Sequence, residues 1–167
     1  MKKLTRFAVR DAVAAVSAIP FKNDSGSLSG KTVAAIALTM VALKEVDSRF
    51  GEAVAAIAEK VKPEGYDRKS AEREKAIKDM FGDAPFDPEK WERECLDKEF
   101  EEVYRKCNEE FHATVGEVGR EETEVDIRLT AEHLSDIAGV LVAQDAVDVA
   151  GSQVPVQGFL YMLASLI

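Results

Sequence analysis

Residues 29–61 read SGKTVAAIALTMVALKEVDSRFGEAVAAIAEKV, and this stretch decides the fold. Its apolar side chains Ile36, Met40, Leu43, Phe50, Val54, Ile57 and Val61 recur at steps alternating between four and three residues, once position 47 is included. A seam of that period packs one long helix along another. The spacing predicts a helix from Ser29 to Val61, capped by Ser27 or Ser29 and stopped at Pro63 and Gly65. Asp47 is the one break in the seam. It is expected either to fix register against Arg105 or Lys106 of a facing helix, or to sit in solvent beside Val46.

The facing helix is expected from Pro88 to Val118. Its stripe is Trp91, Leu96, Phe100, Val103, Cys107 and Phe111. Pro88 suits the first turn, Asp87 caps it, and Glu89 and Glu92 lie near the positive end of the dipole. Gly116 and Gly119 weaken the end. Two long striped helices are most simply buried as an antiparallel hairpin. Between them, residues 64–87 form a charged connection with a short helix over 69–81, anchored by Ile77, Met80 and Phe81.

Outward from the hairpin, a first helix is expected from Leu4 to Ala18, stopped by Pro20. Lys2 and Lys3 precede it as in a signal peptide, but Arg6, Arg10 and Asp11 interrupt the apolar run, so it reads as part of the mature protein. Beyond Gly119 the pattern changes. Residues 123–129 alternate polar and apolar, as a strand does. Thr130 to His133 reads as a capped short helix. Gly139–Val142 and Ala146–Val149 read as further strands, and Gly151 to Pro155 as a turn. Val156 to Ile167 is an apolar helix that must be buried, in the core or against a second copy. The expected fold is mainly α (α+β). It is a single domain over 1–167, with a helical body over 1–122 and a small α/β part over 123–167.

Apolar residues make up 46% of the chain, enough for a sizeable core. The net charge is −9, which argues against a general nucleic-acid binder. The charge is uneven: residues 1–62 carry 10 Lys and Arg against 6 Asp and Glu, and residues 88–126 carry 6 against 14. The acidic face, including Glu94, Glu101, Glu102 and Glu109, is a candidate partner-binding surface that mimics nucleic acid or docks on a basic protein. No apolar run approaches the roughly 20 residues that span a bilayer. A soluble, cytoplasmic protein is expected.

The motif nearest to known chemistry is Gly26-Ser27-Leu28-Ser29-Gly30-Lys31-Thr32. It resembles a phosphate-binding P-loop, but has three residues before Gly-Lys-Thr where the loop needs four, and follows a helix where it needs a strand. Nucleotide hydrolysis is therefore not expected. Ser27, Ser29, Gly30, Lys31 and Thr32 remain a candidate site for a small anionic nucleotide. Glu109 and His112 share a helix face, as in di-iron bundles, but no second Glu-x-x-His accompanies them. Cys95 and Cys107, about 18 Å apart if on one helix at a rise of about 1.5 Å per residue, read as buried free thiols. Catalytic residues, metal and cofactor are all expected to be none.

The order of these elements resembles that of small accessory proteins of tailed bacteriophages. The matching segments are Val33 to Val61, Leu96 to Phe111, Glu124-Val125-Asp126-Ile127 and Phe159 to Leu163. The resemblance implies a phage-encoded accessory protein; with it, a non-enzymatic protein acting by contact with a host or phage protein, as a homo-oligomer in the host cytoplasm, is expected. It would serve either in particle assembly or as an inhibitor of a host defence complex.

Overall fold

Thr5 sets the first boundary of the chain. In the computed structural model, which describes residues 1–167, its side chain accepts a hydrogen bond from the Ala8 N–H and starts α1 (Arg6–Ser17). The expected helix from Leu4 is therefore two residues too long at its start. Residues before Thr5 form a strand instead, β1 (Lys2–Thr5), paired antiparallel with β4 (Glu122–Val125). Lys3 lies opposite Glu124, an attractive cross-strand pair. Arg6 extends the match with an ion pair to Glu121 at 2.9 Å.

The chain divides into two compact units, residues 1–52 with 118–167, and residues 53–117. The division does not fall at 122/123, because the C-terminal segment packs with the N-terminal one. Seven helices hold 66% of the residues, and the strands form small antiparallel pairs, so the fold is mainly α with some β.

The first unit contains α1, the N-terminal part of α2 (Gly30–Val61), α6 (Ala131–Leu141) and α7 (Val156–Ala164). Its core joins Val9 and Val16 of α1, Ile36 and Leu43 of α2, Ile137 and Leu141 of α6, and Phe159 and Leu163 of α7. The seam of α2 is thus buried here against α1, α6 and α7, and no residue of α5 (Lys98–Arg120) belongs to that cluster. The Asp47 side chain is held within its own unit. Its carboxylate accepts from Arg10 Nε at 3.1 Å, and the same guanidinium lies 4.9 Å over the Phe50 ring. Arg105 and Lys106 pair within their own helix, with Glu109 and Glu102.

The strand expected at Gly139–Val142 is the end of α6. Thr130 and His133 form a capping box there, with His133 Nδ1 accepting from the Thr130 N–H. His133, Ile137, Val140 and Leu141 are all buried at helical spacing, so packing overrides the β-branched composition. Strand β5 (Ala146–Val149) forms as expected. The supposed turn is mostly strand β6 (Ser152–Pro155), and only Ala150 and Gly151 turn, both at positive φ. In α7, Phe159 and Leu163 are fully buried, so the core takes that helix.

The second unit contains the C-terminal end of α2, α3 (Tyr66–Phe81), α4 (Pro88–Glu94) and most of α5. Asp87 caps α4 as expected, accepting from the Glu89 and Lys90 N–H groups. The long third helix, however, breaks at Cys95–Asp97. Cys95 leaves helical geometry, and Asp97 starts α5 by accepting from the Phe100 N–H at 3.0 Å. Glu99 and Glu101 then sit in the first turn of α5, where acidic side chains favour a start. Cys95 and Cys107 therefore lie on separate segments, and both are free.

Candidate protein-docking site

Arg73 organises the second unit. Its guanidinium makes a two-pronged contact with Glu101, at 2.7 and 2.8 Å, while lying 3.9 Å over the Tyr104 ring and 5.5 Å over Trp91. The planar fork suits both jobs at once. The bond to Arg73 holds the Glu101 carboxyl below the ordinary carboxylate range, and the Trp91 indole adds a smaller pull. The indole N–H, although near Glu101, reaches no partner in hydrogen-bonding geometry.

Around this post lie two clefts. One, of about 790 Å³, runs along α4 and α5 and is lined by Glu101, Glu102, Tyr104, Arg105, Glu109 and His112 among others. The other, of about 660 Å³, lies between α3 and the junction of α4 with α5. Its floor is the buried Trp91 and Phe100 with the half-buried Met80, and its exposed lining carries Glu72, Ala76, Asp79, Glu94 and Leu96. Trp91 is buried, whereas Leu96 is fully exposed.

All four acidic residues expected to bind a partner line these clefts. Glu101 faces both, Glu94 the smaller, and Glu102 and Glu109 the larger. They differ in availability. Glu101 is committed to Arg73, Glu102 to Lys106 and Glu109 to Arg105, while Glu94 has no ion-pair partner. Glu72 and Asp79 escaped notice in the sequence. The signal was present: positions 72, 76, 79 and 80 fall on one face of a helix. In the sequence Trp91 and Leu96 fall on one stripe, and only the break at Cys95–Asp97 turns Leu96 outward.

The 25–32 loop is arranged differently from an open anion cradle. Lys22–Asn23 (β2) and Gly26–Ser27 (β3) form a small hairpin, leaving Ser27 exposed, and Asn23 donates to the Val140 carbonyl. Gly30 opens α2. The Ser29 N–H and hydroxyl both donate to Asp136, at 3.0 and 2.8 Å. Lys31 reaches both oxygens of Glu132, at 3.0 and 3.1 Å. The Thr32 hydroxyl, then Ser29, holds the Asp136 carboxyl below its usual range. Carboxylates of α6 thus already fill the positions an anion would take.

Glu109 pairs with Arg105, and His112 is exposed. Cys107 donates to the Val61 carbonyl, and burial, then the Glu110 charge, pushes its thiol up. A raised thiol pKa disfavours the nucleophilic thiolate.

No family model, curated protein or solved structure matches this chain. No helix is long and apolar enough to cross a membrane.

Proposed function

We propose that this chain is a non-enzymatic, phage-type accessory protein that works by binding another protein through its second unit. One observation carries the reading: Leu96 stands fully exposed at the edge of a cleft whose floor includes the buried Trp91. An apolar, aromatic-floored cleft with a few polar groups at its margin is the form of an interaction site, and Leu96 extends its apolar surface. The order of elements along the chain supports the phage assignment, and the acidic surface supports a partner with basic character.

Within this reading, inhibition of a host defence complex and service in particle assembly differ in what they capture. Immobilised protein is incubated with lysates of infected and uninfected host cells. An inhibitor retains a host protein from both lysates, and an assembly component retains only phage proteins. Retention of nothing beyond a blank resin in either lysate sinks the reading. The anionic-nucleotide alternative is not advanced, because Ser29 and Lys31 already face Asp136 and Glu132.

A further inference from the structure

The smaller cleft has a charge imbalance of definite origin. Its two cations are both neutralised within the site: Lys69 by Asp97 at 2.9 Å, and Arg73 by Glu101. Three carboxylates at its edge, Glu72, Asp79 and Glu94, have no ion-pair partner. The field at the mouth is therefore negative, while the floor beneath is apolar. The aromatic faces of that floor already carry cations of the chain, Arg73 over Trp91 and Lys69 over Phe100, and a purely apolar segment would bring no match for the edge. Nucleic acid is repelled outright.

We infer that this cleft receives a basic segment of a partner protein, with an apolar side chain seated on Met80, Trp91 and Leu96 and Lys or Arg side chains meeting Glu72, Asp79 and Glu94. This deepens the protein-binding reading above and rests on it. The mode is a short amphipathic segment laid in a groove, in which apolar anchors give hold and the charged edge gives choice of partner. The edge carboxylates also draw a basic segment in from solution, so association is weakened by salt.

Trp91 is the only tryptophan of the chain and lines both clefts, so its fluorescence reports occupancy. The full chain is titrated with a synthetic amidated peptide of repeating Lys-Leu-Lys-Lys, which has no tryptophan. A saturable change in emission is expected, weakening as salt is added. Combining Glu72→Gln, Asp79→Asn and Glu94→Gln is expected to raise Kd about tenfold, the sum of three exposed ion pairs. Leu96→Ser is expected to raise Kd as well. Both variants alter exposed side chains, and an unchanged far-ultraviolet circular dichroism spectrum verifies their fold. A peptide with Ser for each Leu, and spermine, carry the charge without the anchor and are expected to bind far more weakly. The assignment is overturned by the absence of saturable binding, by a triple variant that binds like the parent, or by equal binding of the Ser peptide or spermine. If a lysate partner is captured equally by the triple variant, the cleft assignment alone fails. If neither protein nor peptide is captured, the protein-binding reading fails with it.

Discussion

Gly119 lies near the end of α5, and a Cβ there would stand 2.2 Å from the Phe7 ring. The glycine that weakens a helix by propensity here admits a neighbour's side chain. Phe7 in turn stacks edge-on against Phe50 at 5.6 Å between centroids. Gly119→Ala must displace a half-exposed ring, so it is expected to destabilise by about 1–2 kcal/mol, within the range for overpacking. The same change in a Phe7→Ala background should cost nothing. Urea unfolding of the four proteins of this cycle gives the coupling, and additive effects would show that Phe7 is not what the alanine meets. At the β5–β6 turn the strain has the opposite sign. Ala150 has φ 51° and Gly151 φ 86°, the pattern of a type I′ turn that favours Asn-Gly. Ala150→Asn is expected to stabilise by about 0.5–1 kcal/mol. A lowered thermal midpoint would contradict it.

At the scale of elements, carboxylates that begin helices carry much of the organisation. Asp97 starts α5 where one continuous helix was expected. The Phe100 N–H, then Lys69, holds its carboxyl below the ordinary range. Asp136 closes the start of α2 from α6 and is lowered by Thr32 and Ser29. A folded-state pKa below the unfolded value means that each contributes stability above the unfolded carboxyl's range. That contribution is lost as pH falls through and below about 4. The urea midpoint is therefore expected to drop between about pH 6 and about pH 3. Asp97→Asn combined with Asp136→Asn is expected to lower the midpoint at the higher pH and to flatten this dependence. A variant with the parent's slope would assign acid sensitivity to other groups. Element type along the chain was largely legible. The α2 seam, the turn formers at 63–65, and the Asp87-Pro88 start of α4 each follow local rules. Breaks were less legible, because Asp97 reads equally as a solvated helical residue until Lys69 and the Phe100 N–H are seen to hold it.

For the whole molecule, the outer face of α2 in the first unit matters most. Leu38 and Val41 are 59% and 66% exposed, and Ala34 and Ala37 beside them are also exposed. An exposed apolar face of this kind is where the homo-oligomer expected from the sequence would bury surface. Light scattering on a sizing column is expected to give more than one chain mass for the parent and one for Leu38→Asp. A monomeric parent would overturn the expectation of a homo-oligomer. Leu38→Asp is not expected to alter the peptide titration, because the cleft lies in the other unit.

Periodicity determined the existence of α2, α5 and α7 and the mainly helical class, because the side chains to be buried repeat at the helix's own pitch. Composition determined the acidic surface, since charge is counted residue by residue. Tertiary structure alone decided which partner each stripe met. The α2 seam fits any apolar neighbour; α1, α6 and α7 supplied one for Ile36, Met40 and Leu43, while its Val61 end lies in the second unit with Cys107 of α5. It alone also decided that Lys31 and Ser29 face carboxylates, and that Glu72, Asp79 and Glu94 share one edge. Those groups are brought together across helices, and the sequence carries no local mark of which distant residue will neutralise a charge.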